Sequence, residues 1–480
     1  MSEAKTLTSL VFLPLPIISH MVSAVKLGKL LADRDERLSI TILIMKLPME
    51  GKISSLTKNP PHSRVNFVKV QPQVQHDSIS TDQWMKLPKD FVRPALESQK
   101  DLVRDAVAEI MKSSSSSKIA AFVIDMFCTS MMDVANELGI PTYVFLPIGL
   151  AAVGLMLHLQ SLRDDHNMDL TEYKNLDAEI CVSAFTKPVP AAVWPPSVFD
   201  KESDLLDFIK RYRDTQGIIV NSFLELESHQ IMSLSNDHKI PPIYPLGPIL
   251  QLGGDQTNQE NQNHTEIIGW LDKQPHSSVV YLCFGSNGSV DGEQVKEIAV
   301  ALENSGYRFL WSLRKPPPRE SFEFPGEYEN PQDVLPKGFL KRTAERGKVI
   351  GWAPQMAVLS HPAVGGFVSH SGWNSTLESL WWGVPMAVWP LAAEQQANAF
   401  LLVKEIEMAV EIKIDYNKDN NVIVGSEMIE TAIRQLMEPE NGVRLKVRAL
   451  KEKSRLALME GGSSFNYMKL FIENVMDDVS

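Results

Sequence analysis

The chain has 480 residues, 44% hydrophobic and 22% charged, with a formal net charge of −12. That length predicts roughly two or three domains, each able to bury its own core, in a soluble globular protein. The acidic balance argues against an electrostatic nucleic-acid binder and against tight docking on anionic membranes. Cys128, Cys181 and Cys283 are widely spaced and make neither a disulfide framework nor a zinc pair. The N-terminus lacks a basic region followed by a long apolar one, and no window of about 18 uninterrupted apolar residues occurs. A cytoplasmic location is therefore expected.

Residues 10–18 are a β-type apolar run that ends at Ser19-His20. Residues 21–31 show helical spacing of apolar positions, and residues 38–45 (LSITILIM) read as the next strand, completing a βαβ unit. His20 is thus expected at the carboxyl end of the first strand, where open α/β sheets place their ligands. Asp33-Arg34-Asp35 has the form of a metal–nucleotide D-x-D string, but it lies at the wrong end of this unit and reads as a solvated loop. Residues 85–110 look helical, and the serines at 113–117 read as a flexible loop. Residues 119–124 (IAAFVI) are a buried strand with Asp125 at its end. That carboxylate suits either of two tasks, orienting an imidazole or capping a helix over 129–138. Residues 141–146 are a further strand and 149–162 an apolar helix. Residues 163–180 read as a mobile polar loop, 217–221 as a strand, and 243–246 as the last strand before Gly247-Pro248.

Residues 251–264 (QLGGDQTNQENQNH) have no large apolar residue after Leu252 and read as a linker. The division expected is 1–250, linker 251–264, 265–460, and a terminal helix within 461–480. In the second domain, 278–284 is a strand followed by Gly285-Ser286, small residues that let backbone amides approach a phosphate. Residues 315–335, rich in proline and acid, are expected to form an exposed excursion.

The richest stretch is 352–395, WAPQMAVLSHPAVGGFVSHSGWNSTLESLWWGVPMAVWPLAAEQ. Residues 365–369 suit a buried parallel strand, and a helix is expected from Thr376 onward. A helix start supplies outward-pointing amides and partial positive charge, which suits a phosphate at His370, Asn374 and Ser375. Glu378 lies about one turn on, in range of a ribose diol. Trp352 offers a flat face to a base and Gln355 a paired donor and acceptor, while Glu394 and Gln395 suit sugar hydroxyls. An ordinary βα unit decorated with polar residues would explain any one of these, but not the ensemble.

This stretch closely resembles the signature box of the plant family 1 UDP-dependent glycosyltransferases. The resemblance implies the α/β GT-B fold, two Rossmann-like doubly wound domains facing an interdomain cleft, over essentially the whole chain. It implies that Trp352 stacks on uracil, Gln355 contacts the nucleotide and Glu378 holds the ribose. Ser286, His370, Asn374 and Ser375 would bind the diphosphate, and Trp373, Glu394 and Gln395 the sugar. Gln395 in the last place usually goes with UDP-glucose. His20 would be the general base and Asp125 its partner. Around them, Ile18, Ser19, Met126, Phe127, Leu146 and Ile148 are expected to meet the acceptor.

The sequence departs from the family at three points. Ser371 stands where Cys is common. Pro16-Ile17-Ile18-Ser19-His20 lacks the two glycines usual before the histidine, and Pro147-Ile148 lacks a hydroxyl usual for donor contact. The activity implied is inverting, metal-independent transfer of glucose from UDP-glucose to a hydroxyl of a small lipophilic plant metabolite, a phenolic such as a flavonoid or stilbenoid first. No cofactor is expected beyond UDP-glucose as co-substrate, and no metal; the partners are that donor and a hydroxylated aglycone, acting on a monomer. The rival readings are a UDP-sugar-binding protein with weakened catalysis, and an epimerase or hydrolase on the same frame.

Overall fold

The computed structural model describes residues 7–46, 62–70, 92–113, 118–174, 176–250, 260–318, 324–420 and 422–477. The chain forms two units. One comprises Met1–Asp169, Asp200–Gln251 and Leu456–Ser480, the other Leu170–Phe199 and Leu252–Arg455.

The first unit is built on a parallel sheet in the order Val65–Val70, Leu38–Met45, Thr8–Leu13, Ile119–Asp125, Thr142–Leu146, Gly217–Val220, Ile243–Pro245. Its central strands are apolar on both faces because helices cover both, as parallel sheets require. The order reverses between Thr8–Leu13 and Ile119–Asp125, which pair in parallel with Leu13 opposite Ile124. Such a reversal leaves a crevice beyond the carboxyl ends of the two strands. The first strand stops at Leu13, short of the apolar run read from the sequence. Pro14 and Pro16 lack the N–H groups a ladder needs, and a helix, Ile18–Arg34, starts three residues before the expected position. Asp33 and Asp35, the acids of the D-x-D string, bind Lys29 and Arg37. The terminal helix, Ser463–Asp477, packs into this unit's core through Met468, Phe471, Ile472 and Val475. Its Asn474 amide donates to the Tyr244 hydroxyl at 2.7 Å.

The second unit has its own parallel sheet in the order Gly347–Ile350, Arg308–Ser312, Val279–Cys283, Val364–Ser369, Met386–Val388, Ala409–Glu411. Its reversal falls between Val279–Cys283 and Val364–Ser369, with Cys283 opposite Ser369. Residues 170–199, expected to follow the first domain, belong to this unit. The loop expected at 163–180 is not featureless: Leu150–Asp164 is helix into its start, Leu170–Tyr173 is a 3-10 turn, and Glu179–Ile180 pairs antiparallel with Val189–Pro190. The Phe185 ring meets Phe400 edge-on, and the Glu405 carboxylate accepts from the Thr186 and Lys187 backbone amides. Buried aromatic area and amide pairing thus outweigh the local polarity.

Of the expected linker, residues 251–259 lie outside the described residues, and the helix Glu260–Leu271 begins inside its second half. The expected helix at 85–91 and the serines 114–117 also lie outside them; the helices Val92–Glu97 and Lys100–Ser113 are described. Among the described residues no helix is long and apolar enough to cross a membrane.

Candidate active site

In the first unit, the sheet reversal brings His20 and Asp125 together across 105 residues of sequence. His20 Nδ1 lies 2.7 Å from Asp125 Oδ2. His20 is in the first turn of the helix Ile18–Arg34 rather than at a strand end. Asp125 closes its strand, with its side chain only 1% exposed against 15% for His20. The helix-capping alternative for Asp125 does not describe its side chain. Oδ1 accepts the Phe127 N–H at 3.1 Å while Oδ2 faces the imidazole. The Tyr212 hydroxyl donates to the Met126 carbonyl at 3.1 Å, fixing the turn from below. A carboxylate at Nδ1 holds the proton there and presents Nε2 as the basic nitrogen.

Among the residues expected to meet the acceptor, Ile18 and Phe127 are half-buried and Ser19 is exposed. The Phe127 ring lies 5.7 Å from the His20 ring, centroid to centroid, and is propped edge-on by Phe208. Leu146 departs from the expectation. It is wholly buried as the last residue of its strand and belongs to the core. Met126 and Ile148 are also buried, so neither offers much surface.

In the second unit, the reversal sets the turn after Cys283 beside the turn after Ser369. Ser286 is exposed in the first turn. His370 opens the second, and two glycines wall it in. A Cβ on Gly285 would lie 2.6 Å from the imidazole Nε2, and one on Gly372 would lie 2.4 Å from it. Gly285 also has φ +77, a conformation that side chains disfavour. His370 Nδ1 is fully buried with no hydrogen-bond partner among the described residues. Desolvation pushes the His370 pKa down to about 4, so the ring is neutral at physiological pH.

The next helix is Trp373–Trp382, beginning three residues before the sequence suggested, with Gly372 as its N-cap. Glycine brings no capping side chain, so the first amides are offered outward. Trp373, Asn374 and Ser375 therefore form the first turn itself. Asn374 is half-buried. Trp373 is 2% exposed; its ring is packed inside the unit, and what it presents at the helix start is backbone. A contact of Trp373 to the sugar, as the resemblance implies, would therefore be made by its backbone.

The Gln355 amide donates to Ser375 Oγ at 2.9 Å and to Glu378 Oε2 at 2.7 Å, tying three candidate ligands into one cluster. Trp352 is 39% exposed. Its backbone N–H donates to Glu327 Oε1 at 2.9 Å, and a Cβ on Gly351 would strike that carboxylate. Glu327 therefore holds the tryptophan loop. Sequence reading missed it because one acid in an acidic, proline-rich excursion carries no local signal. Glu394 stands at the N-cap position of the short helix Gln395–Phe400, its side chain making no capping hydrogen bond. Gln395 Oε1 accepts from the Leu391 and Ala392 amides at 2.9 and 3.1 Å, which leaves its NH2 end to meet a ligand. Among the described residues no group of three or more His, Cys, Asp or Glu is placed to hold a metal ion.

Comparison with known proteins identifies the family and the fold. A family model described as UDP-glucoronosyl and UDP-glucosyl transferase matches residues 218–445. The chain is 51% identical to UDP-glucose flavonoid 3-O-glucosyltransferase 6 of Fragaria ananassa, over 98% of this chain and 99% of that one. A UGT transferase from Siraitia grosvenorii, solved in complex with UDP, superposes with a TM-score of 0.88 at 46% identity, covering 98% of this chain and 100% of that one. Medicago truncatula UGT71G1, complexed with UDP-glucose, gives 0.85 at 37% identity, covering 99% and 100%. Two doubly wound units with polar clusters at their sheet reversals are the GT-B architecture, and the chain belongs to the plant UDP-dependent glycosyltransferases.

Proposed function

We propose that the enzyme transfers glucose from UDP-glucose to a hydroxyl of a small lipophilic plant metabolite, with a flavonoid or related phenolic as the best fit, and that the product is the β-glucoside. The observation that carries the reading is the 2.7 Å contact between His20 Nδ1 and Asp125 Oδ2. Nε2 takes the acceptor proton as the oxygen attacks glucose C1, and Asp125 stabilises the imidazolium that forms. The bond from C1 to the diphosphate oxygen breaks as the new glycosidic bond forms, and UDP departs with the electron pair. Displacement from the opposite face inverts the configuration.

The second unit supplies the donor side. The outward amides at Trp373 and Asn374, the hydroxyl of Ser375 and the neutral His370 meet the growing charge on the diphosphate. In this role the helix dipole does what a divalent cation does elsewhere, and UDP-glucose is consumed as co-substrate. Trp352 and Gln355 suit the base, Glu378 the ribose, and Glu394 and Gln395 the sugar hydroxyls. A phenol, with a pKa of about 10, is an easier nucleophile for a single imidazole base than an alkanol. The names of the Fragaria and Medicago proteins support glucose as the sugar and a flavonoid as the acceptor class. The missing glycines before His20 and the departure at Pro147 gave a binding-only protein its support; the intact His20–Asp125 contact weighs against it.

The test is a panel of flavonoid, stilbenoid and terpenoid alcohols with UDP-glucose, read by mass spectrometry for addition of one hexose. His20→Ala should abolish product while UDP affinity by calorimetry stays within about twofold of the parent. Retained turnover in that variant would remove His20 as the base.

A further inference from the structure

The two halves of the donor cluster, the helix start at Gly372 and the Glu394–Gln395 pair, are joined by a side chain that no motif singled out. Asn398 is wholly buried on the short helix Gln395–Phe400. Its Nδ2 donates to the Ser371 carbonyl at 3.0 Å, and its own N–H donates to the Glu394 carbonyl at 3.0 Å. Its Oδ1 is buried without a partner among the described residues, so the donor end alone places the side chain.

Ser371 is the unusual residue at the other end of that bond. It is wholly buried and has φ +64, left-handed backbone that an L residue with a side chain disfavours. This conformation turns the chain away from the strand Val364–Ser369, so that Gly372 can cap and Trp373 can begin the helix. Two contacts restrain it. The Ser371 N–H reaches Ser369 Oγ at 3.4 Å, near the limit of a hydrogen bond, and its carbonyl takes the Asn398 amide at 3.0 Å. The second is the better bond, and its loss leaves a buried carbonyl unpaired. Ser371 Oγ finds no partner among the described residues, so its side chain adds no further restraint by hydrogen bonding.

We propose that Asn398 is a positioning residue of the donor site: it locks the left-handed Ser371 peptide that aims the diphosphate-binding helix start, and does so from the helix that carries Gln395. The diphosphate and sugar halves of the site are thereby held in one register. The inference rests on the donor-site reading given above. It also gives the serine at 371 a structural setting, since the strained turn is secured by an amide from outside the signature stretch.

The experiment uses Asn398→Leu, which keeps the shape of the side chain and removes its donor. UDP affinity by calorimetry and KM for UDP-glucose should each weaken about tenfold, while KM for the acceptor stays within about twofold. Glycine adopts positive φ at no steric cost. Adding Ser371→Gly to Asn398→Leu should therefore recover most of the lost affinity, which replacement at a packing position would not do. Donor affinity within about twofold of the parent in Asn398→Leu, or a loss that Ser371→Gly leaves untouched, overturns the proposal. If the leucine variant does not fold, Asn398→Ala takes its place with the same readouts. Ser375→Ala separates the two levels. If it weakens UDP binding and Asn398→Leu does not, only this inference falls; if neither does, the donor-site reading falls with it.

Discussion

Replacing Asp125 by Asn changes one oxygen for one NH2 group in a site that is otherwise closed. The side chain is 1% exposed and its Oδ2 stands 2.7 Å from His20 Nδ1. With a neutral amide there, the imidazolium formed during proton transfer loses its counter-charge. At about 4 Å between charge centres and an effective dielectric near 20, that attraction is about 4 kcal/mol. The net value of a hydrogen bond to a charged group, about 1.5–3 kcal/mol, sets a lower figure. At about 1.4 kcal/mol per tenfold, kcat should fall roughly 10–10³-fold. The amide can also donate to Nδ1, which moves the imidazole proton to Nε2 and removes the base, so the upper end of that range is favoured. The donor cluster lies in the other unit, so KM for UDP-glucose should stay within about threefold. Initial rates with UDP-glucose and a flavonol, followed by chromatography and mass spectrometry from pH 5 to 10, measure this. A kcat loss below about fivefold in a folded Asp125→Asn variant would refute the assignment of Asp125 as the group that orients and stabilises His20.

The remaining predictions concern the second unit. Gln395 Oε1 accepts two backbone amides; a neutral imidazole has only one acceptor nitrogen, so Gln395→His loses at least one of these bonds and the outward NH2. At about 1 kcal/mol per bond, kcat/KM for UDP-glucose should drop roughly tenfold, and an unchanged donor profile across UDP-sugars would undo the sugar assignment. His370, held near pKa 4 by burial, is neutral in the folded chain while the unfolded chain takes up a proton below about pH 6.5. Its contribution is therefore fully present above about pH 6.5 and is lost as pH falls through about 4, on the order of 3 kcal/mol over the window. His370→Asn should flatten the pH dependence of the urea midpoint between pH 6.5 and 4, and parallel profiles for parent and variant would show that the ring is not desolvated.

The signature stretch was legible because its ligands follow one another along a single βα unit. Spacing alone set His370, Ser375 and Glu378 near one helix start, and apolar runs announced most strands of both sheets, though not Val65–Val70 or Ala409–Glu411; that Gln355 reaches Ser375 and Glu378 only the structure showed. The helix starts before His20 and at Trp373 came earlier than the periodicity suggested. Pro14 and Pro16 end a strand sooner than apolar content does, and a glycine N-cap gives no polar signal.

What the sequence by itself determined was therefore local: strands of buried type, a helix mouth fit for a diphosphate, and a resemblance strong enough to name the family. Only the tertiary structure decided partners far apart in the chain. Sheet order put Asp125 beside His20 and Gly285 against His370; packing gave residues 170–199 to the second unit, Glu327 to Trp352 and Asn398 to Ser371. The physical reason is range. Periodicity and capping are fixed by neighbours within a few residues, whereas a hydrogen bond about 3 Å long between distant residues exists only once strand order and register have brought its two ends together.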